Sequence, residues 1–273
     1  MINFPNAKIN LGLYVTRKRG DGFHDLETIF YPVQLCDALE LIQDKENRFS
    51  FTLSGLPVES PTSENLCVKA FQLIQKYFVQ VPNIQMHLHK VIPMGAGLGG
   101  GSADAAFTLQ LLNDKFQLHL SQDDLLKFAL ALGSDCPFFM LNKACVAIGR
   151  GEILEEISLD LSGYFIVLIY PKVHINTGWA FTQIQPRPLG ISLKEIVSQP
   201  IENWKNVLYN DFEKPVFEKY PEIQFIKDKL YECGAVYSSL SGSGSSVYGI
   251  FRENPEAMDF GFEKTYFQFI SKL

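Results

Sequence analysis

The sequence predicts an α+β fold in two halves, and three observations carry that prediction. The alternating stretch Ile84-Gln85-Met86-His87-Leu88-His89-Lys90-Val91-Ile92 reads as a strand that runs into a glycine-rich segment and then into a helix pattern. A second helix pattern, not a parallel strand, follows the first. A fresh set of strand and helix patterns then begins with the apolar run at residues 164–170. With 273 residues, 47% of them hydrophobic, the chain can bury one large core or two ordinary ones. The change falls around Leu159-Asp160-Leu161-Ser162-Gly163, which divides the chain into residues 1–158 and 159–273.

The first strand pattern covers residues 7–15. Ala7, Ile9, Leu11, Leu13 and Val15 make one face, and Lys8, Asn10, Gly12 and Tyr14 the other. Lys8 and Asn10 therefore project together, either into solvent or toward a ligand. Arg17-Lys18-Arg19-Gly20-Asp21-Gly22 has hairpin-turn chemistry, with its charges solvating the turn. A strand then starts at Phe23-His24, and two more are expected over 38–42 and 49–53. Residues 63–74 form an amphipathic helix with Ser63 or Asn65 available to cap it.

The central segment runs Pro93-Met94-Gly95-Ala96-Gly97-Leu98-Gly99-Gly100-Gly101-Ser102, with five glycines in seven residues. Glycines let backbone N–H groups approach an anion, and a helix N-terminus adds its unpaired donors and the positive end of its dipole. Ser102 is the expected N-cap, with a hydroxyl that could also face a phosphate or magnesium ion. The spacing Gly95-x-Gly97-x-x-Gly100 matches a dinucleotide fingerprint, but the required second parallel strand is missing. Gly101-Ser102 stands where a P-loop needs Lys-Ser. Asp104 reads as a first-turn acid that complements the dipole or meets magnesium. A second helix runs between cap Ser121 and stop Gly133.

Asp135 follows a helix-ending glycine and precedes Pro137, so on its own it reads as an N-cap for the next turn. Thr177 can cap a helix after the 164–170 strand. Residues 221–233 form a helix with Pro221 at N1 and Gly234 past its end. Strands over 235–240 and 247–251 flank the turn Ser241-Gly242-Ser243-Gly244, and a last helix is expected over about 255–270.

The net charge of −6 speaks against a general nucleic-acid binder, and an anionic ligand would need local positive groups. The N-terminal Met1-Ile2-Asn3-Phe4-Pro5 is not a secretory signal, and no apolar run is long enough to span a bilayer. Five cysteines, odd in number and without a C-x-x-C pair, read as reduced, mostly buried thiols of a cytoplasmic protein. His87 and His89 lack a third ligand in sequence reach, and no protein metal site is expected.

The segment Pro93-x-Gly95-x-Gly97-Leu98-Gly99-Gly100-Gly101-Ser102-x-x-Ala105-Ala106 resembles the ATP loop of the galactokinase, homoserine kinase, mevalonate kinase and phosphomevalonate kinase (GHMP) superfamily. Further matches are Ala7-Lys8-Ile9-Asn10-Leu11, Gly22-Phe23-His24-x-Leu26-x-Thr28, Gly133-Ser134-Asp135-x-Pro137-Phe138-Phe139 with Gly149-x-Gly151-Glu152, Asn210-Asp211-Phe212-Glu213, and Ser241-Gly242-Ser243-Gly244. The resemblance implies a first domain like the second domain of ribosomal protein S5 and a second, ferredoxin-like domain. It implies ATP as phosphoryl donor, with Mg²⁺ carried on it, and an alcohol acceptor. The form of the motifs is most similar to that of superfamily members whose acceptor is a cytidine diphosphate sugar-alcohol.

By that resemblance Pro93, Gly95, Ala96, Gly97, Leu98, Gly99, Gly100, Gly101 and Ser102 hold the ATP phosphates. Asn65, Leu66 and Val68 line the adenine pocket, although the same apolar residues serve equally as core. Asp135 is the catalytic base and Lys8 its cationic partner, the pair that phosphoryl transfer to an alcohol needs. Asn10 positions the acceptor, Phe23 and His24 hold its base, and Thr177, Phe181, Ser241, Gly242 and Gly244 line its path. Phe23 stands where the pattern more often has Tyr, which keeps stacking and removes a phenolic hydrogen bond. Gly178 stands where Pro is common, which removes one apolar contact. The implied protein is a cytoplasmic monomer or homodimer acting on small molecules, with no nucleic acid or membrane partner. The alternatives are a homoserine- or mevalonate-type kinase of the same superfamily, an S5-like nucleic-acid-binding module, and a dinucleotide oxidoreductase.

Overall fold

The computed structural model describes residues 1–188 and 190–273. Its contacts group the chain into two compact units that are not successive segments. One comprises Met1–Ala7, Leu35–Met94 and Gly99–Lys143; the other comprises Lys8–Gln34, Gly95–Leu98 and Ala144–Leu273. The glycine-rich loop is thereby shared, with Gly95–Leu98 in one unit and Gly99 onward in the other.

In the first unit, strands β1 (Ile2–Asn3), β4 (Ala38–Gln43), β5 (Ser50–Gly55) and β6 (Ile84–Lys90) form a sheet of order β1-β4-β6-β5. The β4–β6 pair is antiparallel and β5–β6 is parallel. Along β6, Ile84, Met86, Leu88 and Lys90 are buried and the residues between them are not, as the alternation requires. Four helices pack together in this unit: α1 (Leu66–Tyr77), α2 (Gly100–Phe116), α3 (Gln122–Leu132) and α4 (Cys136–Leu141). In α1, Cys67, Ala70, Phe71 and Ile74 recur at helical spacing and bury one stripe, while the Asn65 side chain accepts from Cys67 N at the N-cap. Ser121 caps α3 by accepting from Asp124 N, as the sequence predicts.

The second unit holds two sheets. Strands β2 (Asn6–Lys18) and β3 (His24–Cys36) lie mostly in it. They form the order β2-β3-β7-β8 with β7 (Cys145–Gly149) and β8 (Ile153–Glu156). Both faces of β2 are buried through Tyr14, which removes the solvent-facing reading of Lys8 and Asn10. The Arg17–Gly22 turn pairs its own charges, Arg17 with Asp25 and Arg19 with both Asp21 and Asp25.

The other sheet contains β9 (Phe165–Tyr170), β10 (Tyr237–Leu240), β11 (Val247–Phe251) and β12 (Phe267–Lys272) in the order β10-β11-β9-β12, all antiparallel. That is the strand order of a ferredoxin-like half. Short helices α5 (Thr177–Thr182), α6 (Leu193–Val197) and α7 (Glu213–Lys219) precede α8 (Pro221–Glu232), which packs Ile223, Ile226 and Leu230 against the sheet. Pro221 begins α8 and Gly234 follows it at φ +96°.

The structure corrects the expected C-terminal helix. Residues 267–272 are a strand, paired with β9 from Phe267↔Tyr170 to Lys272↔Phe165. The preceding segment turns twice through side-chain carboxamide and carboxylate acceptors, Asn254 to Glu256 N and Asp259 to Gly261 N, with Gly261 at φ +66°. Those local bonds compete with helix, and the open edge of β9 offers ladder hydrogen bonds that a helix could not use.

Candidate active site

The strand that carries Lys8 is tied directly to the glycine loop, since Lys8 N donates to Leu98 O at 2.9 Å. The Lys8 side chain is buried, donates through Nζ to Asn10 Oδ1 at 2.6 Å, and lies 4.7 Å from the centre of the Phe30 ring. Asn10 Nδ2 donates to Thr28 Oγ1 at 2.9 Å, and Thr28 Oγ1 donates to Gly12 O at 2.5 Å. A buried ammonium is thus oriented by a chain of hydrogen bonds that fixes the amide of Asn10.

The Ser241–Gly244 turn packs on the same loop. Ser241 Oγ donates to Gly97 O at 2.9 Å, and Ser246 N donates to Ala96 O at 3.1 Å. A Cβ on Gly97 would lie 2.0 Å from Ser241 O, and Gly97 has φ +82°, so only glycine fits there. Asn210 holds the turn in place by donating from Nδ2 to both Leu240 O and Gly242 O. Sequence reasoning alone assigns Asn210 no role in the site; its place in the Asn210-Asp211-Phe212-Glu213 motif is the signal that could find it. Thr177 Oγ1 pairs with Ser243 Oγ at 2.9 Å. It is not a cap: Asn176 caps α5 by accepting from Trp179 N, and Thr177 is the first helical residue. The exposed His174 ring, also unassigned by sequence, stands against Gly95, with Nδ1 3.5 Å from where a Cβ would be.

His24 and Phe181 stack, with centroids 4.9 Å apart and planes within 12°, and Phe181 meets Phe212 edge-on. Phe23 does not join that stack. Its ring is 54% exposed and the Arg150 guanidinium sits 5.0 Å from its centre.

In the first unit, α2 starts earlier than the Ser102 cap predicts. Gly99 is the cap residue at φ +73°, so Ser102 lies inside the first turn. The buried Cys136 thiol, one residue after Asp135, is pushed up to about 12 by burial, with Ser102 opposing the shift. Asp135 occupies the position before α4 but makes no side-chain capping bond, so the capping role that the sequence left open is not realised. Gly101 faces Met94 and Leu66, with a hypothetical Cβ 3.6 Å from Met94 Cε and 4.0 Å from Leu66 Cδ1. Val68 is buried in the core, and the Asn65 carboxamide oxygen serves as the α1 cap. Asp104 is not in the first turn and does not complement the dipole; it is buried in an ion pair with Lys90.

His87 and His89 bond to Thr52 and Ser54, and among the described residues no group of three or more His, Cys, Asp or Glu side chains could hold a metal ion. Among them, too, no helix is long and apolar enough to cross a membrane.

Comparison with known proteins matches residues 65–143 to the GHMP kinases N-terminal domain and residues 192–260 to the GHMP kinases C-terminal domain. A protein of Bacteroides fragilis named 4-diphosphocytidyl-2-C-methyl-D-erythritol kinase is 50% identical over 268 residues, covering 97% of each chain. Among solved structures, a 4-(cytidine 5'-diphospho)-2C-methyl-D-erythritol kinase superposes with a TM-score of 0.81 at 30% identity, covering 94% of this chain and 92% of the other. Mevalonate kinase of Methanococcus jannaschii shares the fold, with a TM-score of 0.71 at 14% identity over 100% of this chain and 98% of the other.

Proposed function

The chain belongs to the GHMP kinases, and on that premise we propose that it transfers a phosphoryl group from ATP to the 2-hydroxyl of 4-diphosphocytidyl-2-C-methyl-D-erythritol, a step of the non-mevalonate route to isoprenoid precursors. The observation that carries this reading is the bond from Lys8 N to Leu98 O. It fixes a buried, hydrogen-bonded ammonium next to a loop whose glycines have positive φ at residues 95, 97 and 99.

In this reading Asp135 orients and accepts the proton of the attacking hydroxyl, and Lys8 stabilises the charge that develops. Asn10, held by Thr28, positions the acceptor. Residues 93–102 receive the ATP phosphates on backbone N–H groups and the α2 N-terminus, and Asn65, Leu66 and Val68 form the wall toward adenine. Mg²⁺ enters on ATP, and Asp104 has no part in holding it because that carboxyl is buried in the core against Lys90. Phe23 and His24 receive the cytosine; Thr177, Phe181, Ser241, Gly242 and Gly244 line the way to it. The functional division of the chain is at 158/159, with the two matched family segments falling on either side. All five cysteines are free thiols, in keeping with a cytoplasmic enzyme, which this reading takes to be a monomer or homodimer acting on small molecules.

The test is ADP release with the cytidyl substrate, its uridine analogue, homoserine and mevalonate. Turnover confined to the cytidyl substrate is the expected result. Preference for homoserine or mevalonate would move the chain to another branch of the family.

A further inference from the structure

Lys90 occupies an inward-facing register position on β6, where Ile84, Met86 and Leu88 precede it. Its side chain is 1% exposed and lies between two carboxylates, Asp37 and Asp104, that are 0% and 3% exposed. The Asp104 bond is 2.7 Å. The other oxygen of Asp37 accepts from Val91 N at 2.5 Å and Ile92 N at 2.8 Å. Directly above, a Cβ on Gly100 would meet Lys90 Nζ at 3.3 Å and Ile92 Cγ2 at 2.8 Å. The three side chains therefore bind the backbone that leads into the glycine loop at 91–92 to the helix that leads out of it at 100–104.

Buried ion clusters are poor devices for stability, because apolar residues of similar volume commonly serve as well or better. What a cluster supplies is a defined geometry, since each charge is satisfied in only one arrangement. Here that geometry joins the two ends of the phosphate loop. We propose that Lys90, clamped between Asp37 and Asp104, is a positioning residue for the ATP phosphates, setting the loop's entry strand and exit helix at the separation that aims the loop N–H groups. This rests on the reading of residues 93–102 as the ATP loop.

The charge state of the cluster fits that role. Burial pushes the Asp104 carboxyl well above its ordinary value, Lys90 opposes the shift and Asp37 adds to it. Burial pulls the Lys90 ammonium down, but Asp104 and Asp37 outweigh it and hold it above its ordinary value. From α1 the Cys67 thiol also faces the cluster, and burial keeps it protonated. With Asp104 protonated, Lys90 and Asp37 balance, and the cluster carries no net negative charge to compete with phosphate for the positive end of the α2 dipole. Among the described residues, Asp104 Oδ1 has no hydrogen-bond partner, so nothing else favours its ionised form.

The experiment compares full-length wild type with Lys90→Met, Asp104→Asn and the double variant Lys90→Met/Asp104→Leu, recording KM for each substrate, kcat and Tm. The double variant keeps the Asp37 bonds to Val91 and Ile92, and covers the case in which Lys90→Met alone fails to fold. Loss of Lys90 is expected to raise KM for ATP on the order of tenfold to a hundredfold, the scale of a misplaced positioning group, with KM for the alcohol nearly unchanged. Asp104→Asn keeps an acceptor for Lys90 and should show a much smaller rise. In wild type, KM for ATP should climb as rising pH ionises Asp104; in Asp104→Asn that climb should be absent. A lowered Tm with both KM values unchanged, or equal rises in both, would overturn the proposal. Failure of the underlying reading looks different, because wild type itself would then show no saturable ATP dependence.

Discussion

Asp135 and Lys8 show how a residue's neighbours decide between a structural and a chemical role. Asp135 stands at the start of α4, where a carboxylate usually accepts from the helix backbone, yet it makes no such bond. Lys8 is 3% exposed and donates to Asn10, an arrangement that costs desolvation and that an apolar side chain would avoid. The proposed roles, proton acceptor for Asp135 and charge stabiliser for Lys8, are tested one residue at a time. Asp135→Asn is therefore expected to fold and bind ATP like wild type while kcat falls by about 10²–10⁴-fold, the range of general-base contributions. Lys8→Ala should also lower kcat, and the double variant should lose far less than the product of the two single losses if the proposed pair acts as a unit. Single-turnover rates with calorimetric ATP affinities check this. Turnover near wild type in Asp135→Asn would remove the base assignment.

At the scale of elements, the glycine loop is built by backbone fit. Gly97→Ala would place a methyl 2.0 Å from Ser241 O at φ +82°, so the loop or the Ser241–Gly244 turn must move. The αL conformation alone costs a non-glycine residue about 1–2 kcal/mol. ATP affinity should fall at least tenfold by calorimetry. Gly101→Ala, whose methyl would meet only side chains at 3.6 Å and beyond, should have a smaller effect; equal losses would mean that backbone approach is not what the glycines provide. The same element was the most legible part of the chain, because strand, loop and helix are adjacent in sequence and each carries its own pattern. Elements with distant partners were less so. The 267–272 strand depends on the edge of β9, roughly a hundred residues earlier, and its apolar residues read locally as helix. The caps at Gly99 and Asn176 went to neighbours of Ser102 and Thr177, because several residues in each turn had suitable chemistry. The triad at Lys90 could not be seen at all, since it exists only once the β6 register and the α2 packing are set.

Across the whole molecule, the fold extends to a mevalonate kinase at 14% identity, so the scaffold does not choose the acceptor. Overall charge does not choose it either: at −6 the chain offers no general attraction for anions, and both proposed substrates carry phosphates. The choice must rest on a few residues that read the base. The second unit supplies a candidate in the His24–Phe181 stack, backed by Phe212, with Phe23 and Arg150 beside each other near the start of the same strand. Neutral His24 has one donor and one acceptor, and cytosine offers acceptors at O2 and N3 and a donor at its amino group. Uracil reverses the pattern at N3 and O4, leaving buried groups mismatched at roughly 1–3 kcal/mol each. His24→Ala is therefore expected to raise KM for the cytidyl substrate by about 10- to 100-fold, in line with that range, and to leave KM for ATP nearly unchanged. Phe181→Leu should raise the same KM by removing the stacking face while keeping an apolar volume. Steady-state kinetics with each substrate varied in turn decides the matter: a His24→Ala defect that falls mainly on ATP would take His24 out of base recognition, and equal use of cytidine and uridine substrates by wild type would show that the base is not read there.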